Sequence, residues 1–387
     1  SLYEGRYGMH RGQRSADDAT VTATHSTHKL LAAFSQASMI HIQESDQRKI
    51  DTTRFNDAFM MHGSTSPHYG IMASLDVSSA MMEGSSGRSI VQETHDEAMS
   101  FRQALAAVGK NFKRGDWWFQ VWQPAGLDLA KPPKTAEWVL DPKASWHGFG
   151  KLADDYVMLD PIKVTLLTPG LGKGAKLGKS GIPAAVVTKY LWERGLVVEK
   201  TGLYSFLILF SLGITRGKWS TMLDALADFK SDYDANAPLA KTLPSIAAAG
   251  GRAYAGWGLR DLCDALHGCY RDNDTAAAMN AMYTELPEPA MKPADAYDHL
   301  VHGRVEPVAI DELKGRVAAV MIVPYPPGIP LIMPGERFST DSIVEYLKFA
   351  RDTDDRFPGF GSDIPGARFE IDAQPGHTHR RVDCGKE

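Results

Sequence analysis

Apolar and polar positions in the middle of the chain alternate in a way that predicts strands separated by helices. The runs Lys163–Leu167 and 206–210 are rich in β-branched, aromatic and aliphatic residues, which is typical of buried strands. Residues 183–194 predict a helix that begins at a proline, and residues 218–233 predict a longer helix. Strands that alternate with helices indicate an α/β or α+β domain.

The beginning of the chain is more polar and contains shorter apolar runs. Residues 21–23 predict a short strand, and the apolar run 30–34 predicts a buried helix. Residues 71–82 predict a second helix, which ends near a glycine, and residues 96–108 predict a third.

The last third is separated from the middle by a break in the pattern. Prolines and small residues interrupt the helical period over residues 236–251, so we place a domain boundary there. Residues 259–270 and 274–282 predict helices, and the apolar run 317–323 predicts a strand. The polar tail from Gln374 onward is predicted to be loose.

Composition and charge argue against several classes of partner. The chain has 42 Lys and Arg against 47 Asp and Glu, a formal net charge of −5. This gives no basic surface for nucleic acid or an anionic membrane, and we expect neither as a partner. Three cysteines are too few for a disulfide framework, which favours a reducing compartment and hence a cytoplasmic location.

Two patterns that resemble a phosphate loop and a metal site fail on spacing. The run 170–180 is rich in Gly and Lys, but a P-loop needs a glycine five positions before its Gly-Lys pair, where this chain has Lys173. We predict a surface turn there. The histidine pairs at 25 and 28 and at 377 and 379 have no third ligand at a recognisable spacing, so no metal is expected.

The polar run Ser26-Thr27-His28-Lys29 precedes the apolar run 30–34 and has two interpretations. Most lysines are solvated surface charges. A lysine at the mouth of a buried element is instead desolvated, which favours the neutral amine that forms Schiff bases with carbonyl compounds. Ser26 or Thr27 can cap the helix start, and together with His28 they can hold a phosphate. The residues alone leave both interpretations open.

Longer motifs resemble one known family. The run THSTHKLLAAFSQAS at residues 24–38 closely resembles the lysine segment of the bacterial inducible ornithine, lysine and arginine decarboxylases. Other motifs of that family follow in the same order over nearly the whole chain: MHGSTSP at 61–67, WHGF at 146–149, DPIKVT at 160–165, VEKTG at 198–202 and PYPPG at 324–328.

This resemblance implies a fold and a domain organisation. Residues 1–83 are expected to be the C-terminal part of a large α/β domain of the aspartate-aminotransferase-like type, which binds pyridoxal 5'-phosphate. Residues 84–240 are expected to form the α+β small domain of that fold, and residues 241–387 a C-terminal α+β domain.

The resemblance also implies roles for individual residues. Lys29 would hold pyridoxal phosphate covalently, and Ser26 and His28 would contact its phosphate. Glu199 would be a buried carboxylate near the distal cation of a basic amino acid substrate. In the family's homodimers, the loop that matches Ser64 and Thr65 reaches toward the partner subunit's phosphate. The resemblance further implies decamers of the full-length protein, a place in polyamine metabolism and a role in acid tolerance.

The resemblance also bears on the substrate and on the completeness of the site. His68 and Gly70 resemble the arginine enzymes more than the lysine or ornithine ones, so arginine is preferred, with lysine second and ornithine third. The family chain is longer and carries cofactor contacts in an N-terminal half. This chain alone is therefore expected to be inactive or nearly so, and a non-catalytic binding or regulatory protein is the alternative.

Overall fold

The chain forms two compact units. The computed structural model describes residues 20–30, 32–44, 46–113, 116–124, 126–129, 134–150, 152–154, 157–172, 176–325, 328–361, 364–371 and 378–386. The first unit comprises Ser1–Ala104, Gln123–Val164 and Leu209–Trp219, and the second comprises Leu105–Trp122, Thr165–Ile208 and Ser220–Glu387. These two units are defined by contacts within the structure, whereas the three predicted domains follow from the family resemblance. The boundaries of those domains therefore stay a prediction.

Helices dominate the described residues. They are α1 Thr27–Leu30, α2 Thr52–His62, α3 Tyr69–Met81, α4 Gly84–Gly109, α5 Ala184–Trp192, α6 Arg216–Asp234, α7 Leu239–Thr242, α8 Pro244–Gly250, α9 Leu259–Asp272, α10 Thr275–Thr284, α11 Pro293–Val301 and α12 Asp341–Arg356. Helix α4 begins at Gly84, where the sequence predicted only a helix end. The φ of Gly84 is 60°, a left-handed value that separates α3 from α4.

The strands form four sheets. They are β1 Val21–His25, β2 Met39–Gln43, β3 Gln120–Val121, β4 Lys163–Leu167, β5 Lys200–Thr201, β6 Ser205–Leu209, β7 Glu288–Pro289, β8 Val305–Ala309, β9 Glu336–Arg337, β10 Ala367–Ile371 and β11 Thr378–Gly385. Their orders are β1-β2, β3-β4-β6-β5, β7-β9 and β10-β11-β8. The predicted strands at β4 and β6 are confirmed.

A hairpin at the start of the first unit replaces the predicted helix 30–34. Strands β1 and β2 are antiparallel, with His25 opposite Met39. Helix α1 between them is a single turn, and the backbone returns to β2 through Gln36, whose φ is 74°. Phe34 is 63% exposed. The prediction of a buried helix is therefore wrong, because the apolar residues lie on a tight connection between two paired strands.

Arg102 organises the core of the first unit. Its side chain is fully buried on α4. The guanidinium donates to Oε1 of Gln123 and to the carbonyl of Pro161, both at 2.9 Å, and lies 5.2 Å from the ring centroid of Trp138. Burial lowers the pKa of Arg102 to about 10, so it stays charged at neutral pH. This contact gives the DPIKVT motif a structural role.

In the second unit, a buried lysine joins α6 to the segment that follows α4. Lys230 is 2% exposed. Its Nζ lies 3.0 Å from Oδ1 of Asp116 and 2.8 Å from Oδ2 of Asp234. The same amine lies 4.6 Å from the centroid of the Trp117 ring and 5.0 Å from that of Phe112. Burial lowers the pKa of Lys230, but the hydrogen bonds to both carboxylates outweigh it and raise the pKa overall.

We expect Lys230→Met to destabilise the full-length protein by about 1–2 kcal/mol at neutral pH, since it removes charge-assisted hydrogen bonds and cation–π contacts. The hydrogen bond from Lys230 lowers the pKa of Asp116 from its ordinary value. The Asp116 contribution is therefore present above the ordinary carboxyl range and is lost as the pH falls through the lowered pKa.

Urea titrations of the wild type and Lys230→Met from pH 7 toward pH 3 measure this effect. The difference in unfolding free energy should shrink at the acid end. The matched control is Lys218→Met, which replaces an exposed lysine on the same helix. A difference that does not change with pH would show that the hydrogen bond between Lys230 and Asp116 does not contribute to stability.

The C-terminal part of the second unit differs from the sequence prediction at two places. The run 317–323 contains only isolated bridges, because Ala318 N bonds to Glu336 O and Ala319 N bonds to Asp383 O, on two different segments. The tail is not loose over Thr378–Gly385, where β11 is the central strand between β10 and β8. Both predictions are wrong where the structure describes them, and residues 374–377 lie outside the described part.

In the described part of the chain, every helix is too short or too polar to span a bilayer.

Candidate functional site

Lys29 lies on the single-turn helix α1, between the two strands of the first hairpin. Its N–H donates to the carbonyl of Ser26 at 3.0 Å, and His28 N–H donates to the carbonyl of Ala37 at 3.3 Å. The side chains of Ser26 and Lys29 are exposed, and that of His28 is half-buried. The Lys29 amine is thus accessible in this chain, and the desolvation expected from the following apolar run is absent.

Thr27 is the buried residue of this turn. It is 4% exposed, and its Oγ1 has no hydrogen-bond partner among the described residues. A buried hydroxyl without a partner costs free energy, and native structures rarely leave one. The turn therefore has an unused polar group directly between Ser26 and His28.

Ser64 and Thr65 lie in the connection between α2 and α3 of the same unit. Both side chains are exposed, and Ser66 N–H donates to Oγ of Ser64 at 3.1 Å. A separate hydrogen bond of 3.0 Å, from Phe34 N–H to Oγ of Ser74, ties the lysine segment to α3. The residues predicted to contact phosphate thus lie on two segments of one unit, the lysine segment and the α2–α3 connection. Helix α3 is hydrogen-bonded to the lysine segment.

His68 and Gly70, which favoured arginine as substrate, form the start of α3. The Nδ1 atom of His68 accepts from the N–H of Ile71 at 3.3 Å and caps the helix. A Cβ on Gly70 would lie 3.1 Å from the His68 ring. Both residues therefore have a local structural role, which removes the basis for using them as specificity residues.

Glu199 lies in the second unit, at the edge of the four-stranded sheet. Its N–H donates to the carbonyl of Leu207 at 2.9 Å and extends the β5-β6 hairpin. The carboxylate is exposed in this chain, whereas we expected a buried one. It is therefore accessible to an external cation.

Sequence reasoning missed an apolar surface beside the lysine segment. None of the residues of α2 is buried. Large apolar side chains stand exposed on α2 and α3: Phe59, Met60, Met61, Tyr69, Met72 and Val77. Contiguous exposed apolar residues mark interaction surfaces in soluble proteins. The apolar residues within 52–62 are visible in the sequence and could have indicated such a surface.

The motif WHGF also has a structural explanation. His147 is buried, and its Nε2 lies 3.0 Å from the carbonyl oxygen of Asp141. Its Nδ1 accepts a hydrogen bond from the N–H of Phe149 at 3.1 Å. The imidazole thus closes a loop in the first unit.

The residues around Lys29 fit a phosphate-bearing aldehyde. An accessible primary amine can condense with an aldehyde. The adjacent hydroxyls of Ser26 and Thr27 and the imidazole of His28 are suitable donors for phosphate oxygens, and within the described ranges the Thr27 hydroxyl has no other partner. Pyridoxal phosphate has both groups. Within the described ranges, no cluster of three or more His, Cys, Asp or Glu side chains is arranged to hold a metal ion.

Comparisons with known proteins identify a family. Residues 1–218 match the family described as "Orn/Lys/Arg decarboxylase, major domain", and residues 276–386 match "Orn/Lys/Arg decarboxylase, C-terminal domain". Lysine decarboxylase LdcA of Pseudomonas aeruginosa is 63% identical over 388 residues, which cover 100% of this chain and 51% of that protein. The biodegradative arginine decarboxylase of Escherichia coli is 42% identical, over 94% of this chain and 51% of the relative.

A solved structure supports the same relation. Lysine decarboxylase A from Pseudomonas aeruginosa superposes with a TM-score of 0.91 at 62% identity, over 97% of this chain and 50% of that one. The expected α/β fold of the aspartate-aminotransferase-like type is thereby confirmed. The greater similarity to a lysine enzyme does not support the expected closeness to arginine decarboxylase. The chain spans about half the length of the relatives it matches, and it belongs to the Orn/Lys/Arg decarboxylase family.

Proposed function

We propose that the full-length protein decarboxylates a basic amino acid, with lysine as the preferred substrate, and that this chain supplies the lysine that holds pyridoxal phosphate. The accessible amine of Lys29 between Ser26, His28 and the unpartnered Thr27 hydroxyl carries this proposal. When bound, pyridoxal phosphate supplies the electron sink that lets a Cα–carboxylate bond break.

The residues of this chain have separate tasks in that reaction. Lys29 would hold the cofactor covalently through its side-chain amine. Ser26 and His28 would bind the phosphate of the cofactor. Glu199 binds the distal ammonium group of the substrate by charge-assisted hydrogen bonds. The net reaction replaces the carboxylate on Cα by a proton and releases CO₂.

Lysine replaces arginine as the preferred substrate for two reasons. The lysine decarboxylase of Pseudomonas aeruginosa is 63% identical and the arginine decarboxylase of Escherichia coli 42% identical. The residues that favoured arginine, His68 and Gly70, form a helix cap. Product amine formation also fits the expected place in polyamine metabolism and acid tolerance.

The partner proposed for the apolar surface of α2 and α3 is a second copy of the full-length chain. The turn that carries Ser64 and Thr65 connects α2 to α3, and the family resemblance places this turn near the partner subunit's phosphate. A homodimer would cover the exposed methionines and aromatic side chains of these two helices. Decamers and a cytoplasmic location are part of the same proposal.

The test is CO₂ release by the full-length protein from lysine, arginine and ornithine, compared as kcat/KM. We expect the value for lysine to exceed the other two by at least about tenfold, since side-chain length and head group change several contacts. Arginine ranked first would refute the lysine assignment. Cofactor-independent binding of all three substrates without CO₂ release would instead support the non-catalytic alternative.

A further inference from the structure

A buried tyrosine–histidine pair lies at the turn of the hairpin that carries Glu199. Tyr204 is 3% exposed and His267 on α9 is 1% exposed. The Tyr204 hydroxyl lies 2.6 Å from Nδ1 of His267, and Nε2 of His267 lies 2.9 Å from the carbonyl of Gly178. The three residues thus form one hydrogen-bonded chain inside the second unit.

The partners fix the direction of each hydrogen bond. A carbonyl only accepts, so Nε2 of His267 carries the proton that it donates to Gly178. In the tautomer that carries its proton on Nε2, Nδ1 is the acceptor for the Tyr204 hydroxyl. Burial raises the pKa of Tyr204, so its hydroxyl keeps the proton to donate.

Packing leaves this pair no room to move. The φ of Gly170 is 130°, and a Cβ there would lie 2.5 Å from Cε1 of Tyr204. A Cβ on Gly181 would overlap the imidazole of His267. The two rings meet edge to face with centroids 5.7 Å apart. Only glycines at both positions permit this approach of loop and rings.

The hairpin is held by this pair at its turn and by backbone bonds along its strands. Tyr204 lies between β5 and β6, and its carbonyl accepts from Thr168 N–H at 2.9 Å. Lys200 is paired with Leu207 in register, and Glu199 bonds to the same Leu207. Only two residue pairs of β5 and β6 lie between the Tyr204 turn and Glu199. The Tyr204 turn and the backbone of Glu199 therefore belong to one short hydrogen-bonded hairpin.

We propose that Tyr204 and His267 are positioning residues that set the place of the Glu199 carboxylate and thereby the affinity for the distal ammonium group. This rests on the proposed function of Glu199. The pair acts through the hairpin and does not touch the substrate. A displacement of the carboxylate by about 1 Å weakens a directional charge-assisted bond, and such misplacement costs one to two orders of magnitude.

The test uses the full-length enzyme loaded with its cofactor and three variants. Tyr204→Phe removes the hydroxyl, and His267→Gln places an amide near the Nε2 position, which keeps the bond to Gly178 but loses the acceptor for Tyr204. His267→Asn places a carbonyl near the Nδ1 position and restores that acceptor. We expect the first two to raise KM for lysine about tenfold with kcat within about twofold. His267→Asn should lie close to the wild type.

Two comparisons separate positioning from general damage. Tyr254→Phe removes another buried tyrosine hydroxyl bond of this unit, to the carbonyl of Pro358, and should leave KM unchanged. In a double-mutant cycle, Tyr204→Phe should add nothing to the KM of Glu199→Gln, because the group that it positions is gone.

Three results would overturn the inference. If Glu199→Gln raises KM but Tyr204→Phe and His267→Gln do not, the proposed function stands and the positioning role is wrong. If Tyr204→Phe adds its full effect to Glu199→Gln, the pair supports the structure in general and does not act through Glu199. A Glu199→Gln variant with unchanged KM would refute the role of Glu199 itself, and the positioning role with it.

Discussion

Replacing Lys29 by Ala in the full-length protein is expected to lower kcat for lysine on the order of 10³-fold or more, as for other residues that form the covalent link in catalysis. Lys29 is accessible on a single-turn helix and is flanked by Ser26 and His28. No other residue in this cluster carries a primary amine. Loss of the amine removes the group that we propose holds the cofactor.

Borohydride reduction followed by peptide mapping measures the covalent link directly. In the wild type, the added mass should lie on the peptide that contains Lys29, and in Lys29→Ala it should be absent. Lys49→Ala is the matched control, since Lys49 is an exposed lysine of the same unit, paired with Glu44 at 3.6 Å. A modified lysine elsewhere, or full activity in Lys29→Ala, would show that the site is wrongly assigned.

The second large effect is expected at Glu199. Glu199→Gln keeps the shape of the side chain but removes the negative charge that we propose binds the distal ammonium group. Charge-assisted hydrogen bonds contribute about 1.5–3 kcal/mol, so KM for lysine should rise about 10- to 100-fold. Because the bond is made equally in the bound substrate and during reaction, kcat should change much less.

Steady-state kinetics with lysine and with norleucine, which lacks the distal ammonium group, distinguish this role from a structural one. Norleucine turnover should be weak in the wild type and unaffected by Glu199→Gln. Glu285→Gln, an exposed carboxylate of the same unit, should leave both substrates unchanged. An equal loss for lysine and norleucine would contradict a role in binding the cation.

Local signals made parts of the fold predictable from the sequence. Strand β4 and helix α5 have clear apolar periods, and Pro183 marks the helix start at the N-cap. Helix α12 was not predicted, although Ile343, Leu347 and Ala350 are buried at the spacing of one helix face. The helical spacing of these apolar residues is visible in the sequence, so helix α12 was predictable.

Other parts depend on partners that are distant in the sequence. Strand β11 contains charged residues, and Asp383 on it is buried because Arg368 on β10 pairs with it. No local pattern shows that pairing. The apolar run 30–34 has the composition of a helix, but the pairing of β1 with β2 imposes a turn. Tertiary contacts override local preference in both places.

The candidate site also combines residues that local motifs reveal with residues that only the fold brings together. Motif resemblance identified Lys29, Ser26, His28, Ser64, Thr65 and Glu199. Their roles stay predictions, and the exposed state of Lys29 and Glu199 was not foreseen. The pair Tyr204 and His267 was invisible in the sequence because 63 positions separate its members and only the fold brings them to 2.6 Å. Such spacing carries no local signal.

The central claim is that the full-length protein removes the carboxylate of lysine and puts a proton on the same carbon. The most direct measurement is mass spectrometry of the products formed from carboxyl-labelled lysine in ²H₂O. The account predicts labelled CO₂ and a diamine that carries one deuterium on the former Cα. Lysine that retains its carboxyl label but gains deuterium at Cα, or a keto acid product, would contradict it.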